Sequence, residues 1–304
     1  MYRRKMLQKC LKLSGGNSVK NISVKAKDGA VIPAVTVGME DGDKKAVVII
    51  SHGFGEHAGS YIELAEDFQK AGYASIIPDQ RGHGKPPDGA KKWHGIIPHY
   101  QCFLDDIASL TDTARQTVPD TPVVLYGHSM GGNIIANALL CLPFEQASQY
   151  ACAVLESPWF GLYNPPNPLM GCMIKFLSHV MPDFIQEQKL SHSDLSSDTE
   201  RSDGYSKDPL YHGSISMRMA NGIIEGCAYA LENAARFPVP VYLAYANNDL
   251  VVSNKSIREF AENAGAIVTI KEYESNHAIH NDVNRVPYIN DIVAYINSKL
   301  PEGS

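Results

Sequence analysis

One serine in this chain stands where a nucleophile would be built. Gly127-His128-Ser129-Met130-Gly131-Gly132 follows the apolar run 122–126 and precedes a stretch with Ile134, Ile135, Ala138 and Leu139 at helical spacing. A G-x-S-x-G turn between strand and helix holds its serine in a strained conformation, and the glycines leave room for the sharp bend. The bend also aims the N–H of Met130 and the start of the following helix at the place where an oxyanion develops. His128 adjoins the serine, but consecutive residues of such a turn point in different directions. Packing beneath the turn is the role expected of it, not that of base.

Two more groups complete a set for acyl transfer. The apolar run 239–245 ends in Ala246-Asn247-Asn248-Asp249, and the run 267–271 ends in Glu272-Tyr273-Glu274-Ser275-Asn276-His277. Groups just beyond the C-terminal ends of strands reach the ligand-binding edge of an open α/β sheet. Ser129, Asp249 and His277 then stand in the order nucleophile, acid, base. His277 would take the Ser129 proton and later give it to the leaving alcohol, with Asp249 holding its tautomer. The rival base is His280, and the rival acid is Glu156, at the end of the run 151–155. Ser51-His52-Gly53-Phe54-Gly55-Glu56-His57 follows the run 46–50 and offers the second oxyanion donor, so the N–H groups of Phe54 and Met130 form the expected pair. No third ligand stands at suitable spacing to His52, Glu56 and His57, and neither a metal nor a cofactor is expected.

The elements that must position these groups follow from pattern. Eight short runs rich in β-branched residues, at 19–26, 31–37, 46–50, 74–77, 122–126, 151–155, 239–245 and 267–271, alternate with longer segments of helical period. That predicts a mostly parallel, eight-stranded α/β sheet flanked by helices. The first two runs flank Asp28-Gly29 and read as an antiparallel hairpin. A helix is expected over 61–71, and a last one carries Ile289, Ile292, Val293, Ile296 and Leu300 on one stripe. The alternation breaks over 158–236, about 80 residues and too long for an ordinary crossover. This reads as a helical cap inserted into a core made of 1–157 and 237–304. Trp159, Phe160 and Met173, with Met170 and Phe176, are candidates to line an acyl pocket, and the same apolar stripe equally suits the cap's own core.

Composition narrows the class further. At 304 residues, 44% hydrophobic and 20% charged, the chain suits one large globular domain. A net charge of −6 and no basic stripe argue against nucleic acid as a partner. Cys10, Cys102, Cys141, Cys152, Cys172 and Cys227 are scattered and form no C-x-x-C pair, which suits a reducing, cytoplasmic setting. No apolar run approaches the ~20 residues needed to span a bilayer. Arg3, Arg4 and Lys5 open the chain, but Lys9 and Lys12 interrupt the apolar stretch a signal peptide needs. Met6, Leu7, Cys10 and Leu11 share a helical face and read as a short docking helix or a frayed end, with weak membrane-surface contact as the alternative.

Taken together, "SHGFGEHAGSY", "PDQRGHGKP" and "YGHSMGGNI" resemble the monoacylglycerol lipase and lysophospholipase branch of the α/β-hydrolases. "DPLYHGSISMRM" is similar to a cap segment of that branch, and the likeness spans roughly 47–295. The resemblance implies a cofactor-free serine hydrolase acting on esters of single acyl chains, with a hydrophobic acyl channel beneath a mobile cap. It implies that Ser129, Asp249 and His277 match the family's triad, and Phe54 and Met130 its oxyanion residues. The chain departs from the pattern at bulky Phe54 and in the polar stretch 191–203. Lysophospholipids, short-chain esters, amides, or ligand binding without catalysis are the other readings.

Overall fold

The computed structural model describes residues 18–86, 92–189 and 191–301. The basic N-terminal segment with its helical face lies outside the described residues.

Eight strands form one sheet: β1 (Val19–Lys25), β2 (Val31–Val37), β3 (Ala46–Ser51), β4 (Tyr73–Pro78), β5 (Val123–His128), β6 (Tyr150–Glu156), β9 (Val241–Ala246) and β10 (Val268–Tyr273). Two short strands, β7 (Ile185–Glu187) and β8 (Ser214–Ser216), pair apart from it. The sheet order is β1-β2-β4-β3-β5-β6-β9-β10. Only β2 runs against its neighbours, so the sheet is mostly parallel. The main α-helices are α1 (Ile62–Lys70), α2 (Gln101–Thr117), α3 (Met130–Cys141), α4 (Phe144–Ala147), α5 (Pro168–Val180), α6 (His192–Leu195), α7 (Thr199–Lys207), α8 (Met217–Asn233), α9 (Asn254–Ala264) and α10 (Arg285–Asn297).

The central strands are apolar on both faces because each face is covered. Val47, Ile49, Leu125 and Leu243 point into one core, with Ile107 of α2, Ile134 and Leu139 of α3, and Phe260 of α9. Val48, Ile50, Tyr126 and Val154 point into the other, against Phe68 of α1 and Ile292 of α10. Alternation along a strand therefore divides residues between two buried cores, and the runs read as continuous hydrophobe.

The segment 158–236, between β6 and β9, holds helices that are rooted differently. Its last helix, α8, packs on α3 and carries Met219, Ile223 and Ala230 into the same core as the sheet. By contrast, α5 rests on α8 and has no buried residue. The small antiparallel pair β7–β8 has no signal in the sequence pattern: strands of three residues are too short to display a period.

Candidate active site

Strand β5 delivers the nucleophile candidate. Ser129 follows it directly as the N-cap of α3, at φ 52°, ψ −116°, a left-handed conformation strained for a side-chain-bearing residue. The surrounding chain enforces it. Ser129 N–H donates to the Glu156 carbonyl at 3.0 Å, and its own carbonyl accepts from Asn133 and Trp159. A Cβ on Gly131 would stand 2.0 Å from the Ser51 carbonyl oxygen, so only glycine lets α3 start this close to β3.

Asp249 and His277 meet as the sequence order suggested. His277 Nδ1 lies 2.7 Å from Asp249 Oδ2, and both side chains are buried. Asp249 Oδ1 accepts the N–H groups of Val251 and Val252 at 2.8 and 2.9 Å, which fixes the carboxylate and leaves Oδ2 for the imidazole. Burial opposes protonation of His277, but the facing Asp249 carboxylate outweighs it and raises the pKa above the ordinary imidazole value. A cavity of about 340 Å³ is lined by both Ser129 and His277, with Phe54 and Gly53 beside them.

The oxyanion loop is held from below. Gly53 N–H donates to Glu56 Oε2 at 2.8 Å, and a Cβ on Gly53 would stand 3.4 Å from that of Ser129. Gln80 brackets His52, donating from its backbone N–H to Nε2 and from its side chain to the carbonyl. Burial depresses the His52 pKa to about 3, so this ring stays a neutral acceptor. Arg81 joins Asp106 and Asp28, anchoring the loop that carries Gln80. This is what the "PDQRGHG" stretch does in space. Phe54 lines the cavity with its ring edge-on to Trp159. Met130, wholly buried, is the first residue of α3, where N–H groups lack intrahelical partners.

Of the five candidates for the acyl pocket, Trp159 and Met170 line the cavity. Phe160 turns the other way and stacks on Phe260 in the core. Met173 is 47% exposed, while Met170 and Ile174, one helical turn apart on α5, face the cavity instead. Leu195, Ile215, Met217 and Ile224 complete much of the apolar wall, and Gln186, Gln188 and Lys189 add polar groups to it.

The rival acid and base form a pair of their own. His280 Nδ1 lies 2.9 Å from Glu156 Oε1, the His280 backbone N–H donates to the same oxygen, and Tyr126 OH donates to Oε2. Burial raises the Glu156 pKa, yet the His280 ring on one oxygen and the Tyr126 hydroxyl on the other overcome it and hold the carboxyl at about 2. His128 packs between the two pairs, its ring centroid 4.7 Å from that of His277 and 5.1 Å from that of His280. Burial keeps it neutral, so its 3.5 Å approach to Glu156 is neither an ion pair nor a good hydrogen bond. His128, Glu156 and His280 bring ligand-type atoms within 4.8 Å of one another, a cluster that sequence spacing did not suggest. Glu156 already spends both oxygens on protein donors, which weakens the case for a cation there.

Three ties join 158–236 to this site and had no sequence signal. His57 Nε2 meets Asp208 Oδ2 at 2.7 Å, His212 N–H donates to the Gly55 carbonyl, and Arg201 pairs with Glu63. Among the described residues, no helix is long and apolar enough to cross a membrane.

Comparison with known proteins agrees with this architecture. The chain is 27% identical over 275 residues to a monoacylglycerol lipase of Mycolicibacterium smegmatis, covering 90% of this chain and 95% of the relative. It is 28% identical over 262 residues to the monoglyceride lipase of Rattus norvegicus, covering 84% and 82%. Its fold matches that of a soluble variant of monoglyceride lipase from Saccharomyces cerevisiae with a TM-score of 0.82 at 20% identity, over 95% of this chain and 97% of that one. The fold is that of an α/β-hydrolase. A family model described as serine aminopeptidase, S33, matches residues 42–284, and the chain belongs to that family.

Proposed function

We propose that this protein hydrolyses carboxylic esters of single acyl chains, monoacylglycerols foremost, through an acyl-enzyme on Ser129. The observation that carries the reading is one cavity, largely apolar, onto which strained Ser129 and Asp249-paired His277 both open. His277 Nε2 takes the hydroxyl proton as Ser129 Oγ attacks the ester carbon. The N–H groups of Phe54 and Met130 hold the tetrahedral oxyanion, and the imidazolium then protonates the departing alcohol. Water repeats the sequence on the acyl-enzyme, and the fatty acid leaves. No step calls for a metal or cofactor.

The segment 158–236 serves as the cap, rooted through α8 in the core and roofing the cavity with Met170, Ile174 and Ile215. Apolar, exposed Leu169 and Phe176 on α5 suit contact with a lipid surface. Buried free thiols at Cys102, Cys152 and Cys227 support a reducing, cytoplasmic setting. Lys189 on the cavity wall favours one second reading, a lysophospholipid with an anionic head group. A relative in Bacillus subtilis, 27% identical, bears the name phospholipase YtpA.

A fluorophosphonate probe should label Ser129, and Ser129→Ala should lose kcat by about 10⁴-fold or more while staying folded. Monoacylglycerols of graded length, lysophosphatidylcholine and aminoacyl amides, assayed side by side, rank the substrate classes. Near-normal turnover in folded Ser129→Ala would end the proposal, and preference for the amides would move the chain to peptide chemistry.

A further inference from the structure

Asp282 lies five residues beyond His277, is 1% exposed, and touches neither Ser129 nor the cavity wall. Its carboxylate is nonetheless among the most heavily bonded groups near the site. Oδ2 accepts from Ser275 Oγ at 2.8 Å and from Asn276 N–H at 2.7 Å, the two residues that lead into His277. Oδ1 accepts from Ser197 N–H at 2.9 Å, Ser197 Oγ at 2.6 Å, and more distantly from Ser196 Oγ and Asp198 N–H at 3.2 Å. Oδ1 also accepts the N–H of the next residue, Val283, at 2.8 Å, so Oδ2 serves the loop that carries the base, and Oδ1 joins the inserted segment to the turn after it.

The two strands of chain are laced together around it. Asn276 Nδ2, His277 N–H and Ala278 N–H donate to the carbonyls of Ser193, Asp194 and Leu195 in turn. Leu195 is itself in the cavity wall. Any shift of 193–198 thus carries both the pocket wall and the backbone of His277 with it. Within the polar stretch that set this chain apart in sequence, Ser196, Ser197 and Asp198 dock on this buried carboxylate.

We propose that Asp282 is a positioning residue that holds His277 in register with Ser129 by clamping the base loop to segment 193–198. This rests on the serine-hydrolase reading above. Every donor facing the carboxylate is an N–H or O–H, so the site is matched to two acceptor oxygens. Burial alone would raise the Asp282 pKa, but the donors from Ser197, Asn276 and Ser275 bring it down to about 2, and the clamp is charged at any pH where the base works. Asparagine keeps the shape but turns an NH₂ group toward donors, which must break either the contact to the base loop or the contact to 193–198. Misplacement of a reacting group by about 1 Å costs on the order of 10²-fold in rate.

The test is Asp282→Asn in the full chain, assayed on a soluble p-nitrophenyl butyrate substrate. Expected is a kcat lowered by about 10- to 100-fold. The ionisation seen in kcat/KM should also move to lower pH, since the Asp249 hold on His277 loosens. A folded variant with wild-type kcat, or one with reduced kcat and a wild-type pH profile, overturns the proposal. If Asp282→Asn does not fold, Ser197→Ala decides: a smaller fall in kcat with the same pH shift supports the clamp, and unchanged kinetics overturn it. Fluorophosphonate labelling of the wild-type protein is run alongside. Its failure would remove the serine-hydrolase reading itself, whereas labelling at Ser129 with an unaffected Asp282→Asn removes the clamp alone.

Discussion

The molecule carries two buried carboxylate–imidazole pairs, Asp249–His277 and Glu156–His280, with the neutral ring of His128 packed between them. Their bond lengths, 2.7 and 2.9 Å, are nearly alike, and all four side chains are shielded from water. They differ in what lies beyond the imidazole. His277 faces the cavity that Ser129 lines, while His280 stacks on Tyr61 at 4.7 Å and does not reach the cavity wall. The carboxylates differ as well. Asp249 is held by backbone N–H groups of its own turn, so its second oxygen serves only the imidazole. Glu156 is shared among Tyr126, the His280 ring and the His280 backbone, and so fastens the end of β6 to the loop after β10. An acid–histidine contact alone therefore does not identify a base. What sets His277 apart is the cavity it shares with Ser129.

Substitution of the two acids sets this contrast at its starkest. Asp249→Asn should cost about 10⁴-fold in kcat with the fold intact, because the imidazole loses its tautomer and its counter-charge. Glu156→Gln should instead cost about 1–3 kcal/mol of stability, because the buried acceptor shared by Tyr126 and the His280 ring and backbone is weakened, while the folded fraction keeps most of its kcat. Denaturant midpoints and active-site titration by the fluorophosphonate separate the two quantities. A Glu156→Gln protein that is stable but inactive would reverse the roles assigned to the pairs.

A pH profile sharpens the same contrast at moderate cost. As the proposed base, His277 would work only when neutral, so kcat/KM should rise with pH through its ionisation. Asp249 places that ionisation above the ordinary imidazole value. The sign for stability is opposite. The extra favour that Asp249 shows the imidazolium is fully present below the unfolded-state pKa and fades as pH rises through the folded one. Activity and this share of stability should therefore cross as pH increases. In Asp249→Asn the residual rate should titrate at lower pH than in the wild type, and an unmoved midpoint would mean that the profile reports another group.

Much of this was legible in the residues. The five central strands, β3, β4, β5, β6 and β9, show because they are apolar on both faces, and the elbow shows because only glycine at Gly131 lets α3 start against β3. Strand β5 runs on to His128, two residues past the apolar run, since its ladder with β6 continues to Glu156. What stayed hidden depends on contacts distant in sequence. Helical spacing placed Met170, Met173 and Ile174 on one helix but could not say which side the rest of the fold would cover. Trp159 and Phe160 diverge for a similar reason, one turned to the cavity and the other to Phe260. The pairing of His280 with Glu156, 124 positions apart, leaves no trace in either local pattern. Nor does that of His57 with Asp208.

The smallest expected effect tests whether the Glu156 pair is purely structural. Tyr126 is fully buried on β5, three residues before Ser129, and its hydroxyl donates to Glu156 Oε2. Burial and the neighbouring carboxylate raise its pKa far above that of an ordinary phenol, so it remains a proton donor throughout the working range. Tyr126→Phe deletes one oxygen and leaves the ring packed against Phe68. Glu156 then keeps His280 but loses a donor, and a hydrogen bond to a buried charge is worth about 1.5–3 kcal/mol. Because the lost bond lies on the side of Glu156 away from the cavity, kcat, KM and the pH midpoint should all stay at wild-type values while the unfolding midpoint falls. A change in the midpoint of kcat/KM would show that charge on Glu156 is felt through His128 at His277. The two pairs would then be one coupled system rather than a base and a brace.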